Sequence, residues 1–495
     1  MTREEALAIY HAGAETVVRV LMEMDARIRV LEQRLEAGEQ RIKELEDRLA
    51  TNSRNSSKPP STDGFNKPEP KSLRGKSGRP SGGQRGHPGH TLQRVEHPDI
   101  IERHRVERCQ ACARSLTNRP AECVEIRQVH DLPPRRLIVT EHQAEVKTCS
   151  CGCTNKAAFP EGVNAPVQYG PEVKALAVYL SQEQLLPFAR TCNLLGSVFG
   201  CSLSEGTLAN VLSECHASLQ IPAEQVREHI AQAQLVHFDE TGSRVDKKLW
   251  WLHSASTENA THYDIHPKRG TEAHQAIGIL PAFTGRAIHD AYHSYFTYDC
   301  SHGLCNAHHL RELTFVHEQH HQDWAGQMKQ LLQDMHEAVE KARASGASLT
   351  KARIKRFEDR YQRILDEGYA ANPLPDPPQN KKRGRTKKTK ARNLLERLDW
   401  HRKMALAFLH DANVPFDNNL AERDIRMMKV QQKVSGQFRT RDGAKTFCRI
   451  RSYISTARKN AVNVLDALTR VFTGTPFLPS LAQPNAPHAA SLDTS

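Results

Sequence analysis

Residues 14–50 repeat with a period of seven, which commits the chain to one long helix with an apolar seam. Leu21, Ile28, Leu35, Ile42 and Leu49 take one seam position; Met24, Leu31, Gly38 and Leu45 take the other. Two helices wrap around each other when such a seam is sustained. Gly38 is its weak point, because glycine gives up the most backbone freedom in a helix. The flanking charges are sorted by sign, with Glu32, Glu39 and Glu46 on one side and Arg34, Arg41 and Arg48 on the other. In a parallel pair Arg34 would face the partner's Glu39, and Arg41 the partner's Glu46. That order favours a homodimer or higher oligomer through residues 14–50; the alternative is one amphipathic helix packed on its own chain.

At Asn52 the composition changes. Residues 52–96 are rich in Ser, Gly, Pro and basic side chains and hold almost no aliphatic residues, so they read as a basic disordered linker. Arg54, Lys58, Lys67, Lys71, Arg74, Lys76, Arg79, Arg85 and Arg94 outnumber Asp63 and Glu69 there, as in an arm that follows a phosphate backbone or in a solvated tether. Residues 97–160 carry two cysteine knuckles, Cys109-Gln-Ala-Cys112 and Cys149-Ser-Cys151-Gly-Cys153, separated by strand-like runs around Val124–Val129 and Leu137–Val146. That plan describes a zinc ribbon, with Cys109, Cys112, Cys149 and Cys151 as candidate Zn²⁺ ligands and Cys153 as a substitute in the irregular second knuckle. Buried free thiols are the alternative.

Residues 161–228 read as a helix-turn-helix region. Phe188, Cys192, Leu195 and Phe199 share a helical face, Gly200 breaks the helix, and Ser202-Leu-Ser-Glu205 offers a capping box for the next one. Thr207 and Asn210 then point outward as candidate DNA contacts, although such helix pairs are also common core elements.

From Leu235 the pattern turns to strands: Leu235-Val-His-Phe, Leu249-Trp-Trp-Leu-His, Ala260–Ile265 and Arg286–His289. Two of these runs end in an acid, Asp239 and Asp290. A third acid, Glu422, lies in the helical stretch Asp417-Asn-Asn-Leu-Ala-Glu422-Arg-Asp-Ile-Arg-Met-Met. Three carboxylates around a small volume repel one another and suit hard divalent cations, Mg²⁺ or Mn²⁺. A pair of such ions about 3.5–4 Å apart cleaves phosphodiesters. Each acid also has an ordinary reading. Asp239 before Glu-Thr-Gly fits a turn, and Asn419 with Glu422 fits a capping box. Glu422 is also one turn from Arg426. The expected core spans residues 229–470 and carries a helical insertion at about 323–412. Within that insertion the acid-free run 381–392 contributes Lys381, Lys382, Arg383, Lys387 and Lys388 as candidate DNA contacts. Residues 471–495 read as a disordered tail.

Charge agrees with a polyanionic partner: 69 Lys and Arg against 57 Asp and Glu leave +12, and the pI is about 9.1. No stretch of about 18 uncharged apolar residues is present, so no membrane span is expected. The start lacks a basic-then-apolar leader, so the expected place is the cytoplasm or a nucleoid, where the 12 cysteines stay reduced or bind metal.

Several stretches together resemble the bacterial insertion sequence 66 family of transposases. They are Asn52-Ser-Arg-Asn-Ser-Ser-Lys-Pro-Pro-Ser-Thr-Asp63, Gly82-Gly-Gln-Arg-Gly-His-Pro-Gly-His90, Phe238-Asp239-Glu-Thr-Gly, Asp290-Ala-Tyr, Cys305-Asn-Ala-His308 and Asp417-Asn-Asn-Leu-Ala-Glu422-Arg. The resemblance covers roughly residues 15–470. It implies an α/β multidomain protein whose ribonuclease-H-like mixed-sheet core carries an Asp-Asp-Glu triad, here Asp239, Asp290 and Glu422. It also implies metal-dependent cleavage at element ends, strand transfer into target DNA, and small companion proteins of the same element. The chain departs at Cys149-Ser-Cys151, which is shorter than the usual knuckle and leaves the zinc ligand set open. Two other functions fit the same residues: a non-catalytic DNA-binding regulator, and a metal-dependent nuclease that cuts without joining.

Overall fold

The computed structural model describes residues 2–56, 63, 92–133, 135–374 and 388–479. Helix α1 (Arg3–His11) starts in a capping box: Thr2 accepts from the Glu5 N–H at 3.3 Å, and Glu5 accepts from the Thr2 N–H at 2.7 Å. Helix α2 (Ala14–Ala50) is continuous through Gly38 and buries none of its residues. The seam side chains Leu21, Ile28, Leu35, Ile42 and Leu49 are all exposed on the single chain.

The expectation of a linker beginning at Asn52 needs correction at its first residues. Residues 52–56 form a tight turn. The Asn52 N–H donates to Asn55 Oδ1 at 2.8 Å, and Asn55 Nδ2 donates to the Ala50 carbonyl at 2.9 Å. Side-chain amides here satisfy the open carbonyls of a helix end, a use of asparagine that composition alone hides. Apart from Asp63 and Arg94, the charged linker residues that follow, Lys58 to Arg85, lie outside the described residues.

The strand-like runs 124–129 and 137–145 form no strands, and Val124, Val129, Ile138 and Val139 are exposed. Alternation alone does not make a strand without a neighbour to pair with. Among the described residues of this region, pairing consists of an isolated Arg108↔Ser115 bridge and the short hairpin of β1 (Val146–Thr148) and β2 (Thr154–Lys156).

A helical group follows: α3 (Pro171–Val178), a π turn (Tyr179–Glu183), α4 (Phe188–Phe199), α5 (Glu205–Ser218) and α6 (Gln220–Ala231). Gly200 ends α4 in the left-handed region at φ 67°, where a side chain would be strained. Helix α5 is capped by Ser204, which accepts from the Thr207 N–H at 3.0 Å, rather than by Ser202.

Five strands make one mixed sheet in the order β5-β4-β3-β6-β7: β3 (Leu235–Val245), β4 (Lys248–Ser256), β5 (Thr261–His266), β6 (Arg286–His289) and β7 (Ser301–Leu304). The first three are antiparallel, and β6 and β7 run parallel to β3. Helix α7 (Thr271–Ile277) lies in the crossover to β6.

Beyond β7 come α8 (Asn306–His320), α9 (Asp323–Ala344), α10 (Lys351–Ala371), α11 (Lys390–Trp400), and the single turns α12 (Arg402–Ala405) and α13 (Ala407–His410). They pack around Leu313, Met328, Leu331, Met335, Tyr361, Leu365 and Leu395, with Ile288 of β6 at the edge of that core. Last come α14 (Asn419–Ser435), α15 (Arg441–Lys459) and α16 (Val464–Phe472).

Burial sorts the sheet's two faces. Val236, Phe238 and Ala255 pack with Val226 and Ile230 of α6. Leu252, Tyr263 and Ile265 pack with Ile425 and Met428 of α14 and Phe447 of α15. Each such apolar side chain contributes roughly 1.5–3 kcal/mol, which fixes the position of α14 against the sheet. Helices α15 and α16 also share a core with α3–α5, through Ile450, Ile454 and Leu468 against Leu195, Leu208 and Leu212. Among the described residues no helix is long and apolar enough to cross a membrane. Within the expected tail, residues 473–479 are described and seated by the Phe477 N–H on Tyr453 Oη at 2.8 Å; residues 480–495 lie outside the described set.

Candidate active site

Asp239 and Asp290 are brought together by strand register. Strands β3 and β6 pair in parallel from Leu235↔Arg286 to His237↔Ile288. The same offset of 51 residues carried two places further sets Asp239 beside Asp290, the first residue after β6. Asp239 is not at a strand end, because β3 continues to Val245 as a hairpin with β4. The turn is Asp246-Lys247, with φ of 47° and 62°, the conformation a two-residue type I′ turn demands but without the glycine that usually announces it. The turn reading of Asp239-Glu-Thr-Gly is therefore excluded.

Glu422 stands in α14 on the same side of the sheet. The capping-box reading fails: the residue flanking the helix is Asn418, Asn419 is already helical, and Asn419 Nδ2 donates to Asp417 Oδ2 at 2.5 Å. Glu422 is thus one position past the place a capping box requires. Its Oε1 is buried with no hydrogen-bond partner among the described residues. Arg426 is exposed; the side chains facing Glu422 come from α8, with His308 Nε2 at 3.6 Å and the Arg311 cation, through Nη2, at 3.9 Å. The next acid on α14 differs. Asp424 Oδ2 receives Ser256 Oγ at 2.7 Å, Thr261 Oγ1 at 3.0 Å and Lys459 Nζ at 2.7 Å. Asp424 is a satisfied structural carboxylate, whereas Glu422 has an oxygen to spare.

The three acids repel one another. Burial, then Glu240, Glu422 and Asp290, hold the Asp239 carboxyl well above the usual range. Burial lowers His308, as does Arg311, against the pull of Glu422 and Asp290. A fourth carboxylate, Glu240, is withdrawn from this group. It takes Arg269 at 2.7 Å and the Tyr295 hydroxyl, while burial and Asp290 push its carboxyl up. Arg269 also reaches Asp290 Oδ2 at 3.7 Å, and it lies 4.0 Å from the Tyr292 ring centre and 5.0 Å from that of Trp251. Asp290 Oδ1 accepts from the Tyr292 N–H at 2.9 Å.

Asn418 ties the three elements together. Its Oδ1 meets His237 Nδ1 at 2.7 Å, its Nδ2 donates to the Phe238 carbonyl at 2.8 Å, and its N–H donates to Cys305 Sγ at 3.2 Å. Cys305 is buried, and its thiol is pushed up to about 12, by burial first and then by Glu422. The Cys305-Asn-Ala-His308 stretch thus latches the end of β7 and the start of α8 to the start of α14. Sequence reasoning missed Glu240, Arg269, Tyr292, Arg311 and Asn418 as parts of this site. The stretches Phe238-Asp239-Glu240, Asp290-Ala-Tyr292 and Asp417-Asn418-Asn419 carried a local signal for Glu240, Tyr292 and Asn418, but nothing local marked Arg269 or Arg311.

Among the described residues no three His, Cys, Asp or Glu side chains gather closely enough to hold one ion. The donor chemistry nevertheless fits a hard cation, since Glu422 has an orphaned buried oxygen and Asp239 faces carboxylates rather than cations. For zinc the fit is partial. Both knuckles are tight turns, with the Cys109 N–H on the Arg114 carbonyl at 2.9 Å and the Cys149 N–H on the Cys153 carbonyl at 2.8 Å. The backbone N–H groups of Cys112 and Cys151 draw the Cys109 and Cys149 thiols below their usual range. Among the described residues the two knuckles do not come together as one ligand group.

The remaining candidates are dispersed. Asn210 is exposed on α5 and Thr207 is half-buried there. Lys381, Lys382, Arg383 and Lys387 lie outside the described residues. Lys388 is described, and it is paired with Glu396 at 2.7 Å.

Comparison with known families places this geometry in context. The model of the Transposase IS66 family matches residues 166–446, the stretch that holds all three acids. A family of unknown function (DUF6444) matches residues 6–93. No curated protein matches the chain.

Proposed function

Because the chain belongs to the Transposase IS66 family, and so to a group of DNA-processing enzymes, we propose that it cuts phosphodiesters at the ends of an insertion element and joins the freed 3′-hydroxyl to target DNA. The observation that supports this reading is that the buried Asp239 carboxyl feels the charges of both Glu422 and Asp290 on the face that α14 covers, while Glu422 Oε1 has no hydrogen-bond partner among the described residues. The sheet order, three antiparallel strands followed by two parallel ones, supports a ribonuclease-H-like core. Asp239, Asp290 and Glu422 would hold the divalent ions, Mg²⁺ or Mn²⁺, which supply a Lewis acid and an activated water. Asn418 keeps α14 against β3, and Arg269 pairs with Glu240 on the other face of the strand. The test is incubation of the protein with end-containing DNA, target DNA and Mg²⁺. A joined product is expected. Cutting without joining would indicate a nuclease, and binding without cutting a DNA-binding regulator.

The same reading extends to the other parts of the chain, with residues 1–51 as an oligomerisation helix, 97–160 as a zinc ribbon and 161–228 as a helix-turn-helix region. The exposed seam of α2 supports pairing between copies. Ile28→Asp with Leu35→Asp should lower the mass read by light scattering, because a charge buried unpaired in a seam costs several kcal/mol. An unchanged mass would contradict the seam. Cys109→Ser with Cys112→Ser should release one zinc per chain by mass spectrometry while the sheet stays folded; full zinc content in that variant would remove these ligands from the account.

A further inference from the structure

Glu240 follows Asp239 on β3, so its side chain points to the other face of the sheet, toward Tyr295, yet its charge still acts on the Asp239 carboxyl. Its side chain is 1 % exposed, whereas the Arg269 side chain that meets it is 34 % exposed. The guanidinium spans two carboxylates, Glu240 Oε1 at 2.7 Å and Asp290 Oδ2 at 3.7 Å. It is also braced by two rings, Tyr292 at 4.0 Å and Trp251 at 5.0 Å. Tyr292 in turn fixes the other oxygen of Asp290 through its N–H. Arg269 therefore touches the acid cluster at one candidate ligand and at the one neighbouring acid that is not a candidate. The planar fork of arginine suits this bridging, which a lysine ammonium cannot copy.

We propose that Arg269 is a positioning residue that sets how much negative charge the site offers to a cation: it neutralises Glu240 behind the strand and restrains Asp290. The inference rests on the metal-dependent reading above. It makes a directional claim. Removing Arg269 subtracts a positive charge from the cluster and leaves the Glu240 charge uncompensated, so the bare protein should bind divalent cations more tightly while becoming a poorer enzyme. A residue that only supports folding would not tighten cation binding.

The experiment is Mn²⁺ binding to the full chain without DNA, followed by calorimetry and by the electron paramagnetic resonance of free Mn²⁺. Wild type and Asp239→Ala are compared first. If Asp239→Ala binds Mn²⁺ as wild type does, the acid-site reading itself fails, whatever Arg269 does. If Asp239→Ala loses binding, Arg269→Gln should lower the Mn²⁺ dissociation constant about tenfold, as expected for one charge removed a few ångströms from a divalent ion in a partly screened site. Its strand cleavage should fall. Arg269→Lys should return the affinity to near wild type without restoring cleavage. Glu240→Gln with Arg269→Gln, which removes both charges, should also bind Mn²⁺ as wild type does. An Arg269→Gln protein that is folded and binds Mn²⁺ no more tightly than wild type would overturn the proposal. Should that variant not fold, Glu240→Gln alone decides. It leaves Arg269 free to turn to Asp290 and should weaken Mn²⁺ binding; unchanged affinity there would overturn the proposal equally.

Discussion

Asp239→Ala, Asp290→Ala and Glu422→Ala are each expected to cut the cleavage rate by a hundredfold or more, on the order seen when a reacting group loses its position, while binding to element ends changes little. The three side chains come from β3, from the residue after β6 and from α14. Asp239 and Glu422 carry little of the local structure. Among the described residues the Asp239 carboxylate accepts only from the N–H of the next residue, at 2.9 Å, and Glu422 Oε1 accepts nothing. Asp239 is also pressed by its own neighbours, with burial and three carboxylates all disfavouring its charge. Alanine there relieves repulsion, so Asp239→Ala should melt no lower than wild type, and within a few degrees above it. A rate loss without a stability loss separates a functional acid from a structural one. Asp424→Ala is the control. It strands Lys459 and two hydroxyls, so it should lower the melting temperature.

Asn418→Ala is expected to harm both stability and rate. It removes the bonds that fasten the start of α14 to β3, leaving His237 Nδ1 and the Phe238 carbonyl buried without partners. Each unsatisfied buried group costs about 1–3 kcal/mol, so a loss of about 2–4 kcal/mol should appear in urea unfolding. Glu422 lies four residues along the same helix. A shift of that end by about 1 Å is enough to cost on the order of a hundredfold in rate. Asn418→Ala should therefore resemble Glu422→Ala in rate and differ from it in stability. A variant of normal activity and normal stability would show that Asn418 is not the latch described here.

Much of this arrangement is legible in the sequence, for local reasons. Period-two runs give β3 to β6, and the outward and inward sides of α5 follow from its apolar spacing. What is hidden depends on distant partners or on competing local choices. Strand β7 is only Ser-His-Gly-Leu, and what makes it a strand is β6 beside it. Its Gly303 is needed because a Cβ would come within 2.7 Å of Ile288 Cδ1. Asp239 looked like a strand end because the Asp246-Lys247 turn lacks glycine. Ser202 and Ser204, and likewise Asn418 and Asn419, offer adjacent caps that tertiary contacts choose between. The runs at 124–129 and 137–145 carry a strand pattern and no strand. The Glu240–Arg269 pair joins residues with no periodic relation, so no pattern could propose it. The acids are legible because each follows or sits within a recognisable apolar pattern; the residues that hold them do not.

The central claim is that Glu422 is the third acid of a cation-holding set and not a helix-end residue. Cleavage of end-containing DNA in Mg²⁺ by Glu422→Gln tests it most directly, with melting and DNA binding measured on the same sample. Glutamine preserves the size of the side chain and its packing beside His308 and Arg311 but lacks the charge a divalent ion needs. The expected result is a protein that melts like wild type, binds element ends like wild type and does not cut them. A folded Glu422→Gln protein that cuts at the wild-type rate would contradict the account.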